Sequence, residues 1–186
     1  KSKEDVTEIA HCKKGEAAQF ENTLNIFLAP NVEVDLKSLT RHVFASSSCG
    51  ICGKATIEAV QQGFPSVVSE ARVTPGIITQ LPAKLREAQA TFEQTGGLHA
   101  AAIFDTQGKL LILREDVGRH NAVDKVVGFG LLNDISFAEC VLMVSGRASF
   151  EIMQKALAAK VPIVAAVSAP SSLAVEFAQE SRQTLI

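Results

Sequence analysis

Surplus charge, long apolar runs and a cysteine-rich framework are all missing from this chain of 186 residues. A formal net charge of −2 excludes a general nucleic-acid binder, which would carry a clear basic excess. It leaves room for one phosphorylated ligand held in a local site. No apolar run approaches the ~20 residues of a membrane-spanning helix; the longest, around 161–169, is about half that. The opening Lys1-Ser2-Lys3-Glu4-Asp5 is charged and lacks the apolar core of a signal peptide. Only four cysteines occur, Cys12, Cys49, Cys52 and Cys140, and their scatter excludes a secreted disulfide framework. A reducing, cytoplasmic setting is expected. Internal repeats and low-complexity segments are absent. The chain starts at Lys1 and stops at Thr184-Leu185-Ile186, which reads as the opening of a buried strand, so further residues are expected on each side.

What is there suits a folded domain. Hydrophobic residues make up 47% of the chain. A chain of this length buries roughly 70% of its unfolded surface and needs neither disulfide nor metal to fold. The stretch that organises it is Ser46-Ser47-Ser48-Cys49-Gly50-Ile51-Cys52-Gly53. Small neighbours leave both sulfurs approachable. A helix predicted at 54–62 aims free N–H groups at them, which favours thiolate, the nucleophilic and metal-binding form.

Strands are predicted at 6–12 and 19–28, turning at 13–16, followed by a helix at 35–44. Residues 66–79 read as irregular. One continuous helix is predicted over 79–95, where Leu81, Leu85, Ala88 and Phe92 share a stripe. Pro82 suits its first turn and Gly96-Gly97 its end. Strands at 98–105 and 109–114 form a hairpin, apolar enough for cover on both faces. Helices at 116–128, 148–160 and 171–181 alternate with strands at 140–145 and 162–169. The pattern predicts an α/β fold with a mostly parallel sheet, helices on both faces and one antiparallel pair.

Several stretches carry candidate chemistry. The C-x-x-C pair has three readings: half of a structural zinc site, a thioredoxin-like redox pair, or a cysteine that carries sulfur on an exposed loop. The zinc reading lacks its usual second pair, and a Ser-rich run is a poor strand end for the redox reading. His99 follows two glycines and would complete a Cys-Cys-His zinc set with Cys49 and Cys52, or sit as a hydrogen-bonded core histidine. Residues 115–125 are the densest polar stretch. On the predicted helix, Asp116, His120 and Asp124 form one row, and two carboxylates flanking His120 would favour its charged form. A solvated helix face is the plain alternative. Gly118 in a first helical turn suggests close approach of a partner. Ser145-Gly146-Arg147 joins a predicted strand to a helix, where α/β folds bind ligands and where a helix start plus an arginine can hold phosphate. With one glycine it is no P-loop. Ala169-Pro170-Ser171-Ser172 makes a similar corner at the next junction.

Five ordered stretches together resemble the formate dehydrogenase accessory sulfurtransferase family (FdhD): 48–53, 95–101, 115–125, 145–151 and 167–175. The resemblance runs over about 46–186. It implies a cytidine-deaminase-like three-layer α/β/α sandwich over 46–186, its mobile C-x-x-C loop first, with 1–45 as the tail of a smaller β-containing N-terminal subdomain. It implies a sulfurtransferase that takes persulfide sulfur from a cysteine desulfurase on Cys49, with Cys52 auxiliary. Delivery is to the molybdenum (or tungsten) bis-pterin guanine dinucleotide cofactor, bound transiently, before that cofactor enters the formate dehydrogenase catalytic subunit. Local chemistry assigns the cofactor's phosphates to Arg119, His120, Ser145, Gly146 and Arg147, with no metal site and no nucleic-acid or membrane partner. A homodimer is implied by the resemblance. The family continues past Ile186 with a Gly/Arg-containing stretch to which cofactor binding is assigned, so this chain is expected to bind the cofactor incompletely. Two alternatives stand: a zinc-dependent deaminase-like hydrolase using Cys49, Cys52 and His99, and a cofactor-binding chaperone without sulfur chemistry. The order of motifs in zinc deaminases is reversed here, and no glutamate follows His99.

Overall fold

The computed structural model describes residues 3–13, 15, 23–34 and 64–186. The chain divides into two compact units, Lys1–Ala45 and Ser46–Ile186. The C-x-x-C loop and the helices predicted at 35–44 and 54–62 lie outside the described residues.

In the first unit, a 3-10 turn at Lys3–Asp5 leads into β1 (Val6–His11), which pairs antiparallel with β2 (Leu24–Leu28). The register shifts between Val6 and Glu8, and Thr7 Oγ1 donates to the carbonyl of Phe27 at 3.1 Å beside that irregularity. Both strands fall within predicted ranges; residues 19–22 of the second are not described.

In the second unit, residues 64–74 are irregular, as their sequence predicts, but Pro75–Ile78 closes one helical turn, α1. The continuous helix predicted at 79–95 is instead two: α2 (Leu81–Glu87) and α3 (Ala90–Thr95). The break has a visible cause. The carboxylate of Glu115, arriving from a neighbouring strand, accepts the backbone N–H groups of Thr91 at 3.0 Å and Phe92 at 2.8 Å. It thus satisfies donors of a fresh helix start that would otherwise bond within one longer helix. Gln89, at the break, is buried. Gly96 ends α3 at φ 67°, the left-handed cap that glycine takes without strain.

The main sheet has the order β4-β3-β5-β6-β7. Its strands are β3 (His99–Asp105), β4 (Leu110–Asp116), β5 (Cys140–Arg147), β6 (Ile163–Ser168) and β7 (Thr184–Leu185). The hairpin turn between β3 and β4 is fixed by the Asp105 carboxylate, which accepts N–H from Gln107 and Lys109, both at 2.9 Å. Helices α4 (Arg119–Leu132), α5 (Phe150–Ala158) and α6 (Ser172–Ser181) link the later strands. β3 runs antiparallel to both β4 and β5, while β5-β6 and β6-β7 are parallel. The expectation of a mostly parallel sheet with one antiparallel pair is therefore corrected. The hairpin inserts β3 between the two strands that α4 connects, which makes two pairings antiparallel. β4, predicted to be covered on both faces, is an edge strand with Leu111 43% exposed.

Side-chain alternation along the sheet builds two cores. Ala101, Ile103, Leu142, Val144 and Val164 face α4, α5 and α6. Ala100, Ala102, Val141, Met143 and Ala165 face α2, through Leu81 and Leu85. The result is a helix–sheet–helix sandwich. Its ligand-accessible end is set by geometry: the carboxyl ends of β4, β5 and β6, the start of β3, and the N-termini of α4, α5 and α6 all meet there.

Candidate functional site

The end of β5 divides this corner into two cavities. Ser145, Gly146 and Arg147 are the last three residues of β5; Ser145 falls within the predicted strand, while Gly146 and Arg147 extend it into the junction predicted after it. Alternation turns Ser145 toward α2 and α3. Its Oγ accepts the N–H of Ala100 at 2.9 Å and lies 3.4 Å from His99 Nδ1. Gly146 is buried and has no side chain to separate its neighbours. A Cβ there would lie 3.4 Å from His99 Nδ1 and Cε1 and 3.5 Å from Arg119 Cδ. His99 and Arg119 thus flank one glycine, with Arg147 exposed beside them.

The first cavity, about 190 Å³, is lined by Arg119, Arg147, Ser149, Glu151, Pro170 and Ser171, among others. It sits over the starts of α5 and α6, both of which direct free N–H groups and a partial positive charge to this end. The two caps behave differently. Ser171 caps α6 by accepting the N–H of Ala174 at 3.2 Å. Ser149 occupies the same place at α5 yet its side chain makes no capping bond. Three of its lining residues carry buried polar atoms with no hydrogen-bond partner among the described residues, Arg119 Nε, Ser149 Oγ and Glu151 Oε2; His120 Nδ1, next along α4 but not on the cavity wall, is a fourth. Buried polar atoms left without partners each cost roughly 1–3 kcal/mol, so three on one cavity wall call for a ligand or another chain segment to satisfy them.

Helix α4 starts at Arg119, not at 116, and this overturns the predicted charge row. Asp116 ends β4. Its carboxylate pairs with Lys125 Nζ at 2.7 Å and accepts from Gly118 N–H at 2.8 Å and Asn121 Nδ2 at 3.0 Å. The Lys125 bond, then the Gly118 N–H, hold its pKa down at about 2. Gly118 is extended, at φ −97° and ψ 123°, and caps the helix rather than standing in its first turn. A Cβ there would come within 3.1 Å of Asn121 Nδ2, so its small size serves this local clasp. Asp124 is taken by Lys155 of α5 at 2.6 Å. His120 is left without the flanking carboxylate pair. Burial, and then the charge of Arg119, push its pKa down, against the pull of Glu151 and Asp124; the predicted preference for the charged form is reversed.

The second cavity, about 470 Å³, opens on the other face of the same sheet end, bounded by Leu85, Arg86, Gln89, Phe92, His99 and Ser145. Among the described residues, no three of His, Cys, Asp and Glu gather as a metal-binding group. Cys49 and Cys52 lie outside the described residues. Of the remaining predicted residues, Arg119 and Arg147 line the first cavity, Ser145 lines the second, Gly146 stands between His99 and Arg119, and His120 lines neither cavity.

Sequence reasoning missed Ser149 and Glu151 as site residues. A serine at a helix start reads as an ordinary cap, and a glutamate in a first turn as dipole compensation. Only their unpaired atoms separate them from those roles.

The model of the FdhD/NarQ family matches residues 1–186, the whole chain. The chain belongs to this family. It is 48% identical over 189 residues to the sulfur carrier protein FdhD of Streptomyces coelicolor, covering 98% of this chain and 67% of that protein. It is 48% identical over 192 residues to the Mycobacterium tuberculosis protein of the same name, covering 99% and 70%. A solved structure assigned as a formate dehydrogenase accessory protein from Desulfotalea psychrophila shares the fold, with a TM-score of 0.68 at 23% identity, over 99% of this chain and 64% of that one. This FdhD/NarQ chain therefore spans about two thirds of the length of these relatives.

Proposed function

We propose that this chain carries sulfur on Cys49 and hands it to a molybdenum or tungsten bis-pterin guanine dinucleotide cofactor before that cofactor enters formate dehydrogenase. The Cys49 thiolate attacks the terminal sulfur of a cysteine desulfurase persulfide. A new S–S bond forms on Cys49, the donor's S–S bond breaks, and the donor leaves as a thiolate. The reading of sulfur carriage rests on the Ser48–Gly53 motif and on the names of the relatives. The observation that carries the cofactor half is the set of four unpaired buried polar atoms at the starts of α4 and α5. Two helix starts and two arginines there suit a phosphate group, which needs donors rather than a basic protein. Glu151 supplies an acceptor for a donor edge of the same ligand. A homodimer in the cytoplasm belongs to the same reading, and the described residues contain no helix long and apolar enough to cross a membrane.

The test is mass spectrometry. Incubation with a cysteine desulfurase and cysteine should add one sulfur to the intact protein, mapped by peptides to Cys49. Addition that persists in Cys49→Ala, or no addition to the unaltered chain, refutes sulfur carriage at this position.

A further inference from the structure

Helices α2 and α3 share one apolar stripe in sequence but are fastened to the protein in different ways. α2 sinks Leu81 and Leu85 into the core, whereas α3 buries no residue. Nor does α3 pack extensively on any other described helix or strand. What holds it is polar and local. The Glu115 carboxylate accepts the backbone N–H groups of Thr91 at 3.0 Å and Phe92 at 2.8 Å, and the side chains of Thr91 and Gln89 join the same carboxylate. The Arg86 guanidinium lies 4.1 Å from the centroid of the Phe92 ring. An element held by a few partly exposed polar contacts opens more easily than one anchored by buried apolar side chains.

Both ends of α3 allow a bend. At one end Gln89 leaves the helical range, at φ −82° and ψ 72°. At the other, Gly96 takes φ 67° and Gly97 follows it, and glycine turns about its backbone bonds with little steric resistance. Between these joints α3 keeps its own bonds. The Gly96 N–H donates to the Phe92 carbonyl at 2.7 Å, and Thr95 Oγ1 donates to the Thr91 carbonyl at 2.9 Å. It can therefore turn as one body. Phe92, Gly96 and Gly97 belong to the lining of the 470 Å³ cavity, so displacing α3 moves part of that wall. The group that holds α3 sits on fixed ground. Lys125 of α4 donates to the Glu115 carbonyl at 2.9 Å and pairs with Asp116 at 2.7 Å.

We propose that α3 is a hinged lid over the second cavity, latched by the Glu115 carboxylate and opened to admit and release ligand. The inference rests on the cofactor reading above, since a ligand taken up and passed on needs a way in and out.

The chain holds no tryptophan and no tyrosine, so Phe92→Trp places a single fluorophore on the lid. Phe129→Trp is the matched control on α4, where the ring is stacked against Arg114 at 4.2 Å. Acrylamide quenching is measured for both reporters, with and without Glu115→Gln. Loss of the latch should raise the quenching constant at least threefold at position 92 and leave it level at position 129. No rise at position 92, or an equal rise at both positions, overturns the lid. Amide exchange in Glu115→Gln alone decides the matter if a reporter variant fails to fold. Thr91 and Phe92 should quicken at least fivefold with Leu85 unchanged; a rise shared by Leu85 is general loosening and overturns the lid. Fluorescently labelled guanosine diphosphate then tests the gating. Its release should quicken at least fivefold in Glu115→Gln, and release at the same rate in both proteins refutes the proposal. If the labelled diphosphate does not bind the unaltered chain, the cofactor reading fails, while quenching and exchange still decide the lid.

Discussion

His120 shows how position outweighs sequence spacing at the scale of one residue. Its neighbours along the chain promised two carboxylates, but Asp116 belongs to β4 and Asp124 is engaged by Lys155. What faces His120 is Arg119 and Asp124 on its own helix and Glu151 and Lys155 on α5, and burial decides the balance. A histidine whose folded pKa lies below its ordinary 6.5 binds fewer protons folded than unfolded. Stability from this residue is therefore fully present above 6.5 and declines as pH falls below it. His120→Gln should flatten that decline. Denaturant melts of both proteins at several pH values from 5 to 7.5 would show it, in buffers spanning roughly the histidine range. Parallel slopes in the two proteins would remove His120 as their source.

At the scale of elements, the alternation of apolar residues located nearly every described strand and helix of the second unit. It failed where a long-range contact overrode a local pattern. No periodicity within 79–95 announces that Glu115, some twenty residues on, caps α3. In the same way, β3 looks like any buried strand, and only the hairpin geometry makes it antiparallel to β5. The site was legible in part for a related reason. Arg119, His120 and Ser145–Arg147 lie at strand and helix ends that sequence can locate, whereas Ser149 and Glu151 stand out only once their missing partners are counted. The cap itself is testable. Burial raises the Glu115 pKa, but the N–H groups of Phe92 and Thr91 and the side chains of Thr91 and Gln89 together bring it below 4.5. Glu115→Gln keeps the size and loses the charge. It should cost about 1 kcal/mol, a fall of about 2–4 °C in Tm for a chain of this size. Amide exchange should quicken first at Thr91 and Phe92. Exchange there that matches the unaltered protein would mean the carboxylate does not hold the break.

For the whole molecule, two further shifted groups act at opposite ends of the pH scale, outside the histidine range, and bound stability on either side. On the acid side, Asp116 clasps the end of β4 to the start of α4, and its folded pKa of about 2 lies below the ordinary 3.8. The folded chain resists protonation there, so this contribution is complete above about 3.8 and is lost as pH falls toward 2. On the alkaline side stands Cys140, at the start of β5. Burial first, then Asp105 and Glu139, raise its pKa above 9.0. The folded chain keeps that proton while the unfolded chain gives it up, so stability declines as pH rises past 9.0. Tm measured across pH 3 to 10, roughly the span of carboxylate and thiol titration, should thus fall at both limits. Asp116→Asn should flatten only the acid limb and Cys140→Ala only the alkaline one, whatever each does to stability at neutrality. The slopes separate titration from packing, because a lost contact lowers the whole curve, while a lost proton equilibrium changes its shape. An alkaline limb unchanged in Cys140→Ala would show that this thiol, though buried against the core, plays no part in holding the sheet together as pH rises.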